Sequence, residues 1–118
     1  MKYKAIQHEQ DVFDRIMGSG LLKATFAKYS ELVDLFGQPA EADGYKVDAL
    51  WVIEFEDGER CPLQPKPVVT IYNWKNGPNY GEDRRVDEIT FWHIGGFDEH
   101  QAKRLETIIT ANKWERIK

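Results

Sequence analysis

The sequence predicts an α+β fold: an antiparallel sheet of three to four strands, connected as a meander, with helices packed on one face. Three observations lead to this prediction. First, some segments place apolar residues at helical spacing. Second, other segments alternate apolar and polar residues or are rich in β-branched and aromatic residues, as strands are. Third, turn-rich segments connect the predicted strands. Short connections favour antiparallel neighbours. With 118 residues, the chain is expected to form one domain, covering residues 1–118.

The first two predicted helices are short. Residues 10–17 carry an apolar stripe that ends at a Gly-Ser-Gly turn. Residues 30–36 carry a second stripe, with Ser30 as the expected N-cap and with Gly37 and Pro39 ending the helix.

A third helix is predicted after the pair Gly95-Gly96. Asp98 and Gln101 have the spacing of a capping box, and the apolar stripe that follows consists of Ala102, Leu105, Ile108 and Ile109. A glycine pair before a helix resembles a phosphate-binding turn in outline. Because the acidic residues Asp98 and Glu99 stand at the helix start, a tight turn or close backbone approach is the favoured interpretation and anion contact the alternative.

Strands are predicted where apolar and aromatic residues alternate. Residues 21–27 favour a strand or an extended lead-in, and residues 45–56, 68–74 and 88–94 favour three strands of a meander. The proline-spaced residues 61–67 are expected to form a loop or an irregular edge.

Composition limits the classes of function. The net charge of −4, from 16 basic and 20 acidic residues, argues against broad nucleic-acid binding. The single Cys61 favours a reducing compartment, with a reactive thiol as the alternative. Because no apolar run has the length of a membrane helix and no signal-peptide pattern is present, we expect a soluble, cytoplasmic protein without membrane contact.

Two strand ends concentrate aromatic and polar side chains. Rings with amide, imidazole and ammonium groups can stack on a planar ligand and bond its edges, although filling a core is the alternative role for each ring. The predicted ligand-binding residues are Tyr72, Trp74, Lys75, Arg84, Arg85, Trp92 and His93.

Catalytic and metal-binding residues are not predicted. His93, Asp98 and His100 are close in sequence, but Asp98 is expected to cap a helix, so a structural or ligand-bonding imidazole is favoured over a metal ligand. A nucleophile with a convincing base is missing, so we expect a non-enzymatic protein without a cofactor.

Residues 25–96 of this chain resemble a group of short, mostly uncharacterised proteins of tailed bacteriophages. The resemblance rests on Tyr29-x-x-Leu32-x-x-x-Phe36-Gly37-x-Pro39, Tyr45-Lys46-Val47-Asp48, Trp51-x-Ile53-x-Phe55-x-Asp57-Gly58, Ile71-Tyr72-x-Trp74-Lys75 and Trp92-His93-Ile94-Gly95-Gly96.

The resemblance implies a counter-defence role in the host cell cytoplasm. One expectation is a homo-oligomer that sequesters a nucleotide-derived immune signal between aromatic rings, with Lys75, Arg84 or Arg85 meeting phosphates. The alternative is an inhibitor or adaptor that covers a host protein with its exposed aromatic residues. Degradation of such a signal is a third alternative.

Overall fold

The computed structural model describes residues 3–6, 20–40, 48–55, 67–74 and 85–117, with side chains described through residue 113. Within these ranges the architecture is α+β, as predicted. The strands are β1 (Tyr3–Ala5), β2 (Gly20–Phe26), β3 (Leu50–Phe55), β4 (Val68–Tyr72) and β5 (Phe91–Gly96). The helices are α1 (Tyr29–Phe36), α2 (Glu99–Ile117) and a 3-10 helix over Val86–Glu88.

The described strands form one sheet in the order β1-β3-β4-β5-β2, and each neighbouring pair is antiparallel. The strands β3, β4 and β5 follow one another as a meander, but the sheet as a whole does not, because β2 pairs with β5 and is not next to β1 or β3. The predicted count of three to four strands is wrong, because β1 lies on the outer edge of β3 and β2 on the outer edge of β5. β1 has only three residues, too few to show a period-two pattern.

The boundaries of β4 and β5 differ from the predicted ranges of residues 68–74 and 88–94. β4 ends at Tyr72, because the next side chain, Asn73, accepts the backbone N–H groups of Asp48 and Ala49 at 2.7 and 3.0 Å. β5 begins late and includes the glycine pair Gly95-Gly96, which pairs with β4. The predicted helix over residues 10–17 lies outside the described residues, as does the predicted loop over residues 61–67 except for Pro67.

The main core lies between the helices and one face of the sheet. Both helices contribute to it through Leu32, Phe36, Ala102, Leu105 and Ile109, and the strands contribute Trp51, Ile53, Phe55, Val69, Ile71, Trp92 and Ile94. These strand positions alternate along the chain, so they share one face. Helices on one face were predicted from the sequence. The opposite face, which carries none of these core side chains, is called the open face below.

The start of α1 corrects one prediction. The N-cap is Lys28, so Ser30 lies in the first turn. The carboxylate of Glu31 accepts the backbone N–H of Lys28 at 2.9 Å and thereby satisfies a donor at the helix end. At α2, the Asp98 carboxylate accepts the N–H of His100 at 3.2 Å, which agrees with the predicted cap.

Candidate functional site: an aromatic strip on the open face of the sheet

Strand register determines which side chains share the open face. Tyr72 of β4 lies opposite His93 of β5, and Phe26 of β2 lies opposite Phe91 of β5. Directly opposite residues in antiparallel strands point to the same face. Since Trp92 and Ile94 belong to the core under the helices, Phe91 and His93 point to the open face.

Four of these side chains form a continuous row across three strands, which we call the aromatic strip: Phe26, Phe91, His93 and Tyr72. Ring centroids are 5.2 Å apart for Phe26–Phe91, 5.6 Å for Phe91–His93 and 5.5 Å for Tyr72–His93. Each contact is edge-to-face, the arrangement that the charge distribution of aromatic rings favours. The strip is therefore a preformed surface whose rings hold one another in place.

The strip is accessible at its β2 end and more enclosed at its β4 end. Phe26 is 66% exposed and Phe91 is 36% exposed, which is unusual for large apolar side chains. Tyr72 is half-buried, and burial raises the pKa of its phenol above the ordinary value of 10.0 because the ionised form loses hydration. Tyr72 therefore carries its hydroxyl proton at neutral pH and can donate or accept a hydrogen bond.

Gly95 leaves room for the Tyr72 ring on the open face. A Cβ atom at this position would lie 2.7 Å from the Thr70 hydroxyl oxygen, 3.0 Å from the Gly20 carbonyl oxygen and 3.3 Å from the Tyr72 ring. Only glycine leaves this space, so the first residue of the glycine pair permits close packing across β4, β5 and β2. The sequence prediction of close backbone approach agrees with this position.

Beyond Tyr72 toward β1, the open face has its own small core. Ala40, Val52 and Val68 are buried there, with Ile6, Leu50 and Phe97 packed against them. The aromatic strip therefore occupies the β2 side of the open face, next to the sheet edge.

The predicted ligand-binding aromatic residues separate into two groups. Tyr72 and His93 belong to the strip, and Trp74, two residues after Tyr72, is 42% exposed. Trp92 is fully buried on the helix side, 5.3 Å from Trp51, and its indole N–H donates to the Ala27 carbonyl at 2.9 Å. The structure thus places Trp92 in the core, where it has no exposed surface for a ligand.

Of the three predicted cations, Arg85 is the one that lies within the described residues. The Arg85 guanidinium contacts Asp87 and Glu88 at 3.2 and 3.4 Å, in the 3-10 helix that precedes β5. Lys75 and Arg84 lie outside the described residues. Among the described residues, the positive charge expected to meet phosphates is therefore that of Arg85, which is paired with two acidic side chains.

Sequence reasoning did not select Phe26 and Phe91 as site residues. One signal was present: the alternation of residues 91–94 puts Phe91 on the side of His93. The position of Phe26 depends on the pairing of β2 with β5, which links residues 65 positions apart and has no local signature.

The histidine, cysteine and acidic side chains in the described part of the chain form no cluster of three able to hold a metal ion. Likewise, none of the helices described is long and apolar enough to cross a membrane. Comparison with known proteins found no matching family model, no similar curated protein and no similar solved structure.

Proposed function

We propose that this chain is a non-enzymatic binding protein that contacts a partner protein through its aromatic strip. The observation that carries the proposal is the strip itself, with exposed Phe26 and Phe91 held edge-to-face beside His93 and Tyr72. Exposed contiguous aromatic surface is typical of interaction sites. Following the sequence resemblance, the partner would be a host protein and the role inhibition or adaptation in counter-defence.

The shape of the strip favours a protein partner over an enclosed small ligand. The rings form a row across one sheet face and meet edge-to-face, whereas a planar ligand is best held between rings that face each other across a cleft. Rigid aromatic side chains on a sheet lose little conformational entropy on binding and so make good hot spots.

A nucleotide-derived immune signal is the second candidate. The Tyr72 hydroxyl and the His93 imidazole favour it, because they can form hydrogen bonds with the edges of a base that stacks on a neighbouring ring. Sequestration by a homo-oligomer is the form of this function that the sequence predicts.

Two variants distinguish the strip from exposed apolar surface in general. In the test variant, Phe26→Ser is combined with Phe91→Ser; in the matched control, Leu21→Ser removes a side chain that is 61% exposed on the same strand as Phe26. Proteins captured from a bacterial lysate are identified, purified and titrated against the three forms by calorimetry. We expect the double variant to weaken partner affinity by at least about tenfold and the control to weaken it less than about twofold.

Native mass spectrometry with cyclic nucleotides and ADP-ribose derivatives decides between the two candidates. A saturable adduct that forms with the wild type and not with the double variant would show that the strip binds a small ligand, and the second candidate function would then be preferred to binding of a protein partner. Equal affinity of wild type and double variant for a purified partner would contradict a role for the strip in either function.

A further inference from the structure

A second surface, on the other side of β2, has the geometry of a peptide-binding groove. Within the described part of the chain, β2 is the edge of the sheet and pairs only with β5. A groove of about 570 Å³ runs between this edge strand and α2. Its lining residues are Lys23 of β2 and Lys103, Glu106, Thr107, Thr110 and Ala111 of α2.

The backbone of β2 has donors and acceptors that point away from the sheet. Ala27 N–H donates to Thr90 O at 3.0 Å, so this directly opposite pair is hydrogen-bonded. Hydrogen-bonded and non-hydrogen-bonded pairs alternate in antiparallel strands, so Thr25 bonds β5 while Ala24 and Phe26 direct their N–H and C=O groups outward. One contact supports this assignment independently: the ammonium group of Lys113 donates to the Phe26 carbonyl oxygen.

The helix side of the groove is polar and suited to contact an added strand. Its α2 residues follow the spacing of a single helical stripe, next to the buried stripe of Ala102, Leu105 and Ile109. A half-exposed ion pair joins the two walls, with Lys23 Nζ 2.8 Å from Glu106 Oε1. This ion pair thus links β2 to α2 across the groove.

The groove is basic although the chain is acidic. Lys23 and Lys103 line it with Glu106, the ion-pair partner of Lys23, as the one acid, so the lining has a net charge of about +1, whereas the whole chain has a net charge of −4. The Lys113 ammonium group adds a positive charge at the neighbouring Phe26 carbonyl oxygen. An acidic occupant therefore gains attraction here that it would not gain over the average surface. A second copy of β2 fits less well, because it would add another Lys23 to the same groove.

We propose that an extended acidic peptide adds to β2 as a further antiparallel or parallel strand and lies in the groove against α2. Backbone hydrogen bonds to Ala24 and to the Phe26 N–H supply affinity, as in other cases of strand addition to a sheet edge, and the Phe26 carbonyl oxygen joins them when the peptide displaces the Lys113 ammonium group. Alternate peptide side chains face opposite sides of the sheet. One set meets the lysines of the groove and is acidic; the other lies on the open face beside Leu21 and Phe26 and is apolar.

The probe is a fluorescein-labelled, C-terminally amidated peptide of sequence Glu-Val-Glu-Val-Glu-Val-Glu, with a Lys-Val-Lys-Val-Lys-Val-Lys peptide as control. Fluorescence anisotropy measures binding to the full chain at low salt. We expect saturable binding of the glutamate peptide, at least about tenfold tighter than that of the lysine peptide and weakened by added salt. Equal binding of the two peptides, or no binding of either, would overturn the proposal.

Two pairs of variants locate the contact. Ala24→Pro removes an outward N–H, and Ala24→Val retains it; we expect the proline variant to bind about tenfold more weakly than the valine variant. Lys103→Gln and Lys4→Gln each remove one positive charge, the first in the groove and the second on β1 at the far edge; we expect only the first to weaken binding, by roughly threefold.

Circular dichroism establishes that each variant is folded. If Ala24→Pro does not fold, the peptide is instead titrated into the wild-type chain and the changes in amide chemical shift are measured. Changes concentrated on β2 and α2 support the proposal, and changes concentrated on β1 and β3 overturn it. Sedimentation of the protein without peptide tests whether a second copy of the chain occupies the edge of β2. A dimer that Ala24→Pro dissociates and Ala24→Val does not would show that a second copy occupies the edge.

Discussion

At the scale of residues, Trp92 and His93 show how adjacent positions acquire different roles. The Trp92 ring is fully buried and its indole N–H donates to Ala27, whereas His93 lies on the open face between Tyr72 and Phe91. The alternation of a strand separates them. Aromatic residues next to each other in sequence are therefore candidates for two sites, one structural and one functional.

Gly95 is the position where we expect the smallest change to have the largest local effect. In Gly95→Ala, the new methyl group would lie 2.7 Å from the Thr70 hydroxyl oxygen and 3.0 Å from a backbone oxygen, so the strands must separate. We expect the free energy of unfolding, measured by urea denaturation, to fall by about 2 kcal/mol. The double variant Gly95→Ala/Thr70→Ala should recover part of this loss, and a Gly95→Ala variant as stable as wild type would contradict the close packing.

Tyr72 should make stability depend on alkaline pH. Its pKa is raised in the folded chain by burial, so the folded state holds the phenolic proton more tightly than the unfolded state. The resulting contribution is fully present below the unfolded pKa of about 10 and is lost as the pH rises through the higher folded pKa.

Replacing the phenol by a phenyl ring isolates this contribution. We expect Tyr72→Phe to lose less stability than wild type when urea denaturation at about pH 8 is compared with denaturation at about pH 11. Identical losses in the two proteins would mean that Tyr72 ionises equally easily in the folded and unfolded states.

At the scale of elements, the presence of strands could be predicted from the sequence, whereas the residue at which a helix begins was harder to predict. Residues 50–55 and 68–72 are almost continuously apolar, β-branched or aromatic, because both faces of these strands are buried, one under the helices and one in the small core of the open face. The start of α1 was misassigned to Ser30 because a serine before an apolar stripe is a common cap. The Glu31 carboxylate instead accepts the N–H of Lys28, one turn earlier, and the N-cap lies two residues before the predicted one.

This assignment predicts different effects at two neighbouring positions of α1. Glu31→Ala removes the acceptor of the Lys28 N–H, and we expect a loss of about 1 kcal/mol in the free energy of unfolding. Ser30→Ala should change it by less than about 0.5 kcal/mol, since the exposed Ser30 is not the N-cap. Glu31→Gln, which retains an acceptor, should lie between them. Thermal and urea unfolding of the three variants measure the order, and a larger loss at Ser30 would restore it as the cap.

At the scale of the whole molecule, the candidate surfaces depend on pairings that local sequence does not encode. Phe26 joins Phe91, and Lys23 joins Glu106, only after β2 pairs with β5 and α2 packs beside them. Of the aromatic residues predicted from the sequence to bind a ligand, Tyr72 and His93 lie in the aromatic strip and Trp74 is exposed. The sequence could not place Trp92 in the core, because alternation alone does not say which face the helices cover.

The apolar exposure of the strip leads to the last prediction, self-association. Two copies that meet through the open face would bury Phe26 and Phe91 against each other in a two-fold arrangement, in which the same residues contribute from both sides. We expect light scattering at high concentration to give an average mass above the 13.8 kDa of one chain.

The strip variants test whether this contact uses the aromatic strip. Combining Phe26→Ser with Phe91→Ser should return the mass to that of a single chain, while Leu21→Ser should not. If the average mass of the wild type equals that of a single chain at all concentrations, self-association is refuted and the strip can contact only other partners. A larger assembly unaffected by the double variant would place the contact between copies elsewhere, because removing two exposed rings from a shared apolar interface cannot leave its strength unchanged.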